Sequence, residues 1–392
     1  MSINCPKIKI GTNNTILSTI SNSFNIGNNN NNNSNYTFLL GYDCSLNNSS
    51  YSSVLGYKNS INNTSELNHS MVIGNNCTIQ NGFKTLLFGN NIYSTNQENF
   101  IFGNNLSSHG KETILLGGTS NIINNGSIVT EKSCTFGYDN LIKYNDKALV
   151  IGISSEIVGI TSRDNNIVNN ISFGNNNKIH TTSNSGIFGF NNTIIGTNST
   201  IATLNVILGN TSNINKGNDC YIIGNNSKLN FNSVNSINDS VSIGNDNNIG
   251  GTQSFVLGNK CKNNDVANSN NNNSFIIGNE SESIGNNSFV LGNKSKSNKY
   301  NAYSIGYNAK SDGKSAYAIG DKSEALADNS VALGYGSKAR FESCFSIGAN
   351  ADASGSNAYA IGKFTKSGNN SFAIGNNLDA TDETVPYDNS YN

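Results

Sequence analysis

The sequence predicts an all-β fold, a two-stranded parallel β-solenoid (a β-roll) with about 14 residues per coil. Three observations predict it. An apolar residue followed by glycine recurs along the 392 residues, the interval is constant at 14 residues from Gly278 to Gly362, and apolar residues alternate with a period of two before each glycine. Fourteen residues are too few for a helix pair or a propeller blade, but they accommodate two short strands and two tight turns.

These recurring glycines are called rung glycines, one for each predicted coil. Between Gly117 and Gly278 the interval mostly alternates between 20 or 22 and 14 or 15 residues, so alternate coils carry an insertion of about six residues. Gly11 is a candidate for one more rung. The rung glycines stand at positions 27, 41, 56, 74, 89, 103, 117, 137, 152, 174, 189, 209, 224, 244, 258, 278, 292, 306, 320, 334, 348, 362 and 375.

The residues before each rung glycine predict a first strand that is apolar on both faces. Bulky residues lie one and three positions before the glycine, and a period of two places them on one face. Smaller residues, such as Ser254 and Val256 before Gly258, face the other way. We assign the bulky set to the core or to a trimer interface: Phe255, Leu257, Phe289, Leu291, Tyr303, Ile305, Tyr317, Ile319, Phe345, Ile347, Tyr359 and Ile361.

A second strand with one buried and one wet face is predicted after the glycine. Two turn residues come first, often Asn, because Gly and Asn accept the positive φ of tight turns most readily. Small or apolar residues stand three and five positions after the glycine, and the residue between them is polar or charged, as Lys296 is between Ser295 and Ser297. The turn glycines of the regular coils are Gly278, Gly292, Gly306, Gly320, Gly334, Gly348 and Gly362.

Both apolar faces of the first strand must therefore be buried, and a single roll buries only one of them. Its inner face is covered by the second strand of the same roll. An apolar stripe that is repeated in every coil is most simply buried by identical chains around a symmetry axis. We predict a homotrimer, with two-fold pairing as the alternative.

Composition excludes several functions. The formal net charge is -1 and 12% of residues are charged, so no basic field is available for nucleic acid or an anionic membrane. Apolar runs reach about five residues, against the roughly 20 that span a bilayer, and no membrane insertion is expected. The seven cysteines form no CxxC pair and no zinc spacing, which indicates reduced thiols. No signal-peptide pattern opens the sequence, so we expect cytoplasmic synthesis without a recognisable signal.

The repeat divides the chain into four predicted segments. Residues 1–22 form a cap or an attachment segment, residues 23–277 form Asn-rich coils with insertions, residues 278–376 form regular 14-residue coils, and residues 377–392 form a polar, acidic tail. The inserted loops are candidates for recognition because loops vary without disturbing a rigid stack, and simple spacer loops are the alternative. They lie at about 125–131, 158–168, 197–203, 231–237 and 265–271.

The regular coils resemble a known repeat. The stretch from Asn301 to Asn376 reads NAYSIGYNAKSDGKSAYAIGDKSEALADNSVALGYGSKARFESCFSIGANADASGSNAYAIGKFTKSGNNSFAIGN. It resembles the YadA-like head repeats of trimeric autotransporter adhesins, specifically over about 278–376 and more weakly upstream. The resemblance implies a left-handed β-roll, three chains side by side and attachment to host or matrix molecules. Similar repeats occur in viral and phage fibres, and because no coiled-coil stalk or membrane anchor follows Gly375, we expect a fibre delivered by other means, such as a virion component.

Three hypotheses of function follow. The first is a non-enzymatic trimeric fibre, displayed on a virion or cell surface and attached to a particle through one terminus, which binds a host surface glycan or protein receptor through many weak contacts. The second is an architectural spacer or virion decoration without a receptor. The third, less favoured, is a polysaccharide-acting β-solenoid enzyme, which would need clustered carboxylates where the acids here are dispersed.

Candidate binding residues lie on the wet face of the second strand. Outward lysines there are spaced to meet an anionic glycan, and a solvated face of mixed, mutually screened charge is the alternative. No catalytic, cofactor-binding or metal-ligating residue is predicted, since no catalytic motif is present and the three histidines are not expected to converge. The candidate lysines are Lys296, Lys310, Lys338 and Lys366.

Overall fold

The computed structural model describes residues 7–17, 19–64, 69–123, 131–159, 169–196, 202–229, 237–263 and 273–381. These residues form strands, bends and turns, and no helix occurs among them. The chain divides into two compact units, residues 1–204 and 205–392, and each is a parallel β-solenoid. The predicted all-β solenoid is therefore confirmed.

In the first unit, each coil has a first strand at its rung glycine and a second strand after the following turn. The first strands are Ile8–Ile10, Phe24–Asn28, Phe38–Tyr42, Ser53–Tyr57, Met71–Asn75, Ile114–Gly118, Cys134–Tyr138, Leu149–Ile153, Ile171–Phe173 and Gly186–Phe190. The second strands are Thr15–Ile16, Asn31–Asn33, Ser45–Asn47, Ser60–Asn62, Thr78–Gln80, Asn121–Ile123, Leu141–Lys143, Glu156–Val158, Lys178–His180 and Thr193–Ile195. Two long strands, Leu86–Thr95 and Phe100–Ser108, cover both positions, and a short side ladder pairs Thr182–Ser183 with Ala202–Thr203.

The second unit repeats this plan with shorter strands. The first strands are Val206–Asn210, Tyr221–Ile223, Val241–Ile243, Phe255–Leu257, Phe275–Ile277, Phe289–Leu291, Tyr303–Ile305, Tyr317–Ile319, Val331–Leu333, Phe345–Ile347, Tyr359–Ile361 and Phe372–Ile374. The second strands are Asn213–Asn215, Lys228–Leu229, Asn248–Ile249, Lys262–Asn263, Glu282–Ser283, Lys296–Ser297, Lys310–Ser311, Glu324–Ala325, Lys338–Ala339, Asp352–Ala353, Lys366–Ser367 and Asp379–Ala380. A side ladder pairs Gly217–Asn218 with Ile237–Asn238.

Parallel pairing stacks equivalent positions of successive coils in register. Phe289 pairs with Tyr303 and Leu291 with Ile305, so side chains at one position relative to the rung glycine form a column along the solenoid. Neighbouring members of a column are about 4.8 Å apart, the spacing of hydrogen-bonded strands. A side chain at one position therefore packs directly against the side chain at the same position in the next coil.

The interior is lined by the residues two before and five after each rung glycine. Leu39 and Leu46 are fully buried in the first unit, where each such side chain contributes about 1.5–3 kcal/mol. In the regular coils of the second unit smaller side chains occupy these positions, as at Ala318, Ala325 and Ala332, and they are equally buried. The residue between the buried positions of the second strand faces solvent, so the predicted strand with one buried and one wet face is confirmed.

Positive φ angles divide each regular coil into two halves of seven residues. One occurs two residues after the rung glycine, as at Asn76 but not at Asn75, and another five residues before it. The strands of the regular coils have only three and two residues, as in Tyr303–Ile305 and Lys310–Ser311, because tight bends occupy the remainder of each coil. In the second unit, residues with φ of 52–59° follow at this interval: Asn273, Glu280, Asn287, Lys294, Asn301 and Asn308.

The rung glycine itself is required by a close approach of two coils. Gly258 has φ of 152°, and a Cβ built on it would lie 1.7 Å from the carbonyl oxygen of Gly278 in the next coil. Every rung glycine except Gly41 has a positive φ. The peptide after each glycine is thus turned so that its carbonyl oxygen points at the preceding coil, where only a hydrogen on Cα leaves room.

An inner donor ladder satisfies many of these inward carbonyl groups. It consists of the Asn, Ser, Thr and Cys side chains three residues after a rung glycine that donate to the rung-glycine oxygen of the next coil. Ser323 and Ser337 instead donate to the rung-glycine oxygen of their own coil. Ile, Leu or Ala, which have no side-chain donor, occupy this position at Ile92, Leu106, Ala309 and Ala351. Asn247 also accepts the backbone N–H of Cys261, at 3.0 Å. The donors include Asn30 (2.9 Å to Gly41), Asn59 (2.6 Å to Gly74), Asn140 (2.8 Å to Gly152), Asn247 (2.8 Å to Gly258), Ser227 (2.9 Å to Gly244) and Cys261 (2.8 Å to Gly278).

Replacing a rung glycine should disrupt the stack locally. For Gly258→Ala we expect an unfolding free energy lower by about 3 kcal/mol or more, because the new methyl group meets backbone and the φ is strained. Gly186→Ala is the matched control, since its nearest neighbour would be the Phe188 side chain at 3.7 Å. Thermal unfolding followed by circular dichroism measures both. Equal melting temperatures for the two variants would contradict this account of the rung glycine.

Candidate functional site

The outer stripe is the set of side chains one and three residues before each rung glycine, on the outside of the first strand. In the second unit Leu257, Leu291 and Tyr317 are 39%, 38% and 39% exposed, whereas Val256 and Val290 beside them are fully buried. The inner face of the first strand is therefore covered by its own roll. The outer face is apolar, and none of the residues that the structure describes covers it.

Aromatic rings of the outer stripe stack along the solenoid. Phe255, Phe275, Phe289, Tyr303 and Tyr317 form one column with centroid separations of 5.1, 5.1, 6.2 and 5.0 Å. These distances are in the range of favourable aromatic contacts. Because each ring face is used by the next ring in the column, the stripe presents ring edges outward. A rigid apolar surface of this kind suits packing against protein.

All twelve residues predicted as core or interface lie on the outer stripe. They are half-buried or exposed, and the interior of the roll is formed by the residues between them. They therefore form no part of the core of a single chain, and their assignment to an interface stays a prediction. The seven predicted turn glycines, Gly278 to Gly362, have φ between 127 and 147°.

The first unit carries a similar stripe with more varied residues. Phe173 and Phe188 stack at 5.0 Å, and Phe24 and Phe38 lie 6.3 Å apart in a tilted arrangement. Cys134 lies on this stripe and is half-buried. Burial raises the pKa of its thiol above the ordinary value.

The candidate lysines of the second strand lie beside carboxylates. Exposed pairs of this kind contribute about 0–1 kcal/mol each, yet they neutralise the face. Beside them Arg340 makes a two-pronged pair with Asp352, at 2.7 and 3.0 Å, and the hydrogen bonds that it donates to this carboxylate raise the pKa of the guanidinium. The lysine pairs are Lys296 with Glu282 (3.3 Å), Lys310 with Asp312 (2.5 Å), Lys338 with Glu324 (3.5 Å) and Lys366 with Asp379 (3.5 Å).

The inward cysteines belong to the stack. Cys44 and Cys77 donate to rung-glycine oxygens at 3.3 Å. Burial raises the pKa of both thiols, and it raises the pKa of Cys220 to about 12. A protonated thiol is the form that donates a hydrogen bond. Burial therefore keeps these cysteines in the form that the inner donor ladder uses.

The histidines lie at separate places. His69 stacks on Tyr51 at 4.9 Å, His109 lies 5.5 Å from Tyr93, and His180 lies 3.4 Å from Glu156. Within the described parts of the chain, no three His, Cys, Asp or Glu residues are grouped to hold a metal ion. No helix among these residues is long and apolar enough to cross a membrane.

Sequence reasoning missed two features of the site. The first is the hydrogen-bonding role of the residue three after the rung glycine, although the predominance of Asn, Ser and Cys at that position was the available signal. The second is a set of exposed tyrosines directly after rung glycines, among them Tyr307 and Tyr335. The greater part of each predicted recognition loop, within 124–130, 160–168, 197–201, 230–236 and 264–272, lies outside the described residues.

Comparison with known families gives one match. Residues 311–337 match the YadA head domain repeat in two copies. This segment carries YadA head repeats. The predicted resemblance is confirmed there, and YadA head domains form homotrimers in general. A search of curated proteins gives no match to the chain.

The ion pairs predict how the lysine face meets an anion. We expect the unmodified chain to pass a heparin column at about 0.15 M salt, because its lysines have partners and its net charge is near zero. The double variant Glu282→Gln, Glu324→Gln should be retained, since Lys296 and Lys338 lose their carboxylates.

Its control is Asp239→Asn with Asp246→Asn, which changes the net charge equally on turns away from this face. Equal retention of the two double variants would show a net-charge effect alone, and strong retention of the unmodified chain would show that the pairs do not neutralise the lysines.

Proposed function

We propose that this protein is a non-enzymatic fibre which assembles as a homotrimer through its outer stripe and serves attachment to host or surface molecules. The observation that carries the proposal is the outer stripe, which is apolar in coil after coil and is left exposed by the described part of its own chain. An exposed apolar surface repeated over many coils is stabilised by association. The opposite face, with its ion pairs, is suited to solvent.

Three copies are favoured over two by the YadA head match at residues 311–337, because such domains form homotrimers in general. In this arrangement each roll turns its first strand toward a common axis and its second strand toward solvent. The ring edges of the aromatic column then meet the stripes of the two other copies. The turns at both edges of each roll stay accessible in triplicate.

Attachment is favoured over a purely architectural role by this replication. YadA-like adhesins are displayed on surfaces, and a trimer presents every surface group three times. Linked weak sites gain affinity through effective concentration, so no deep pocket is needed. Display on a virion, with one terminus joined to the particle, and a glycan or protein receptor belong to the same proposal. The enzyme hypothesis has less support, because the second-strand carboxylates described above are engaged in ion pairs.

The trimer is tested by molar mass in solution. Light scattering should give about 125 kDa for the purified protein, three times the 41.7 kDa of one chain. The variant Phe289→Glu, Tyr303→Glu should shift this mass toward 41.7 kDa, since it would bury six charges in the interface. Its control, Lys296→Glu with Lys310→Glu, alters the wet face of the same coils and should remain trimeric.

Thiol labelling gives an independent readout on the unmodified protein. In the trimer Cys134 should stay unreactive until the protein is unfolded, and Cys134→Ser should remove the label attributed to it. A 41.7 kDa species with a rapidly labelled Cys134 would overturn the trimer.

Attachment predicts saturable binding. Fluorescently labelled protein should bind a panel of cultured cells and matrix-coated surfaces with a plateau, and the monomeric stripe variant should bind at least about tenfold more weakly because it loses multivalency. Linear, non-saturating uptake on every surface would favour the architectural spacer. Release of reducing sugars from a polysaccharide panel would favour the enzyme.

A further inference from the structure

The column directly after the rung glycines changes character within the second unit. In the earlier coils it is a ladder of exposed asparagines in which each Oδ1 accepts hydrogen bonds from the coil before, as Asn245 does from the backbone N–H and Nδ2 of Asn225 at 2.9 and 3.1 Å. This ladder ends at Asn293. The next three members of the column are Tyr307, Asp321 and Tyr335.

The first unit shows how tyrosines in this column behave. Tyr42 and Tyr57 occupy it in successive coils, and their rings stack with centroids 5.6 Å apart and planes 15° apart. In the second unit the middle ring of such a stack is replaced by the short side chain of Asp321. The backbone N–H of Lys322 bonds to Tyr307 O and that of Gly336 to Asp321 O, both at 2.8 Å, so the three coils follow one another.

The two tyrosines are therefore separated by two strand spacings, about 9.6 Å. A ring inserted between them would lie about 4.8 Å from each, within the range of stacking contacts. Tyr307 is 46% exposed and Tyr335 is 52% exposed, so the gap opens to solvent. This gap, bounded by Tyr307 and Tyr335 with Asp321 and Lys322 between them, is called the tyrosine slot.

Gly336 lies in the turn beside Tyr335. In the column two residues after the rung glycine it is the sole glycine among the described coils, and its φ of 62° is one that Asn, Lys and Asp adopt in the other coils. A Cβ at this position would lie 2.5 Å from Oδ1 of Asn350, so the glycine makes room for the side-chain amide of the following coil.

Polar groups in the slot define the chemistry of its occupant. The exposed carboxylate of Asp321 accepts the Tyr307 N–H at 3.1 Å through one oxygen and offers acceptor sites on the other. The ammonium group of Lys322 lies over the ring of Tyr335, 5.7 Å from its centroid, and a ligand that packs on this ring face displaces it. The slot thus combines the two tyrosine rings with one carboxylate acceptor and one ammonium donor. The phenolic hydroxyl groups add donors and acceptors at its rim.

We propose that the tyrosine slot binds one pyranose ring of a glycan. A pyranose has C–H faces that pack on both tyrosine rings and hydroxyl groups around its edge that bond to Asp321 and Lys322. An aromatic ligand would fill the gap but would offer no hydroxyl groups to the second carboxylate oxygen of Asp321 or to the ammonium group of Lys322. The slot holds a single ring, so its affinity is weak, and three copies in the trimer supply the avidity. The inference names the ligand class for the proposed attachment function and rests on it.

Binding to an array of immobilised neutral and sialylated oligosaccharides tests the slot. Tyr307→Ala and Tyr335→Ala should each weaken the binding of the trimeric protein to its best oligosaccharides by about tenfold or more, and Tyr307→Phe should retain most of it. The matched control is Tyr138→Ala, which removes an exposed tyrosine from the same column where no second tyrosine lies two coils away. It should bind as the unmodified protein does.

One further variant closes the slot without removing a tyrosine. Asp321→Tyr supplies the missing middle ring. It should keep the melting temperature and the trimeric mass while abolishing glycan binding.

The outcomes separate this inference from the proposed function. Glycan binding that survives Tyr307→Ala, Tyr335→Ala and Asp321→Tyr would overturn the slot, and so would saturable binding to cells with no signal on the array, although both would leave the attachment function standing. Absence of saturable binding to both the cells and the array would overturn the slot and the attachment function together. Loss of glycan binding in the slot variants, with glycan binding retained in Tyr138→Ala, would establish the site.

Discussion

The stack depends on the close approach of successive coils at the rung glycines and, in many coils, on a hydrogen bond from the side chain three residues after one rung glycine to the rung-glycine oxygen of the next coil. The positive φ of the glycine turns this oxygen inward, where a carbonyl without a partner costs about 1–3 kcal/mol. Asn, Ser, Thr or Cys at that position supplies the donor, and Asn and Ser accept a backbone N–H of the next coil as well. The abundance of asparagine thus has a structural cause inside the roll.

The close approach of the coils and this hydrogen bond fix the register, and the register decides what every other column contains. Equivalent residues are brought within about 4.8 Å of each other, so aromatic residues stack, amides form ladders, and opposite charges pair between coils. The buried side chain at one interior position can be as large as Leu46 or as small as Ala325 while the order of strands and turns stays the same. This is possible because the coil is closed by its turns and its inner donor ladder. The sides of the roll are therefore free to differ in chemistry.

Each side of the roll suits a different role. The outer stripe is apolar and preorganised by stacking, which suits contact with further copies of the chain. The wet face of the second strand is charged, but its ion pairs leave little net attraction for an anion. The turns accept almost any residue, since their side chains leave the stack, and there the tyrosine slot combines aromatic and polar groups. Recognition at turns and assembly through strands do not compete for the same residues.

The amino-acid pattern by itself determined the coil length, the two strands, the direction of the second-strand residues and the two-sided apolar character of the first, because each follows from a period of two or of 14 repeated many times. Tertiary structure decided which apolar face lies inside: Val256 is buried and Phe255 is not, since the roll closes only around the smaller residues. Stacking also paired Lys296 with Glu282 and placed Tyr307 and Tyr335 two coils apart in one column, with Asp321 between them. Such relations join residues of different coils, and they exist only once the register sets the distance between them.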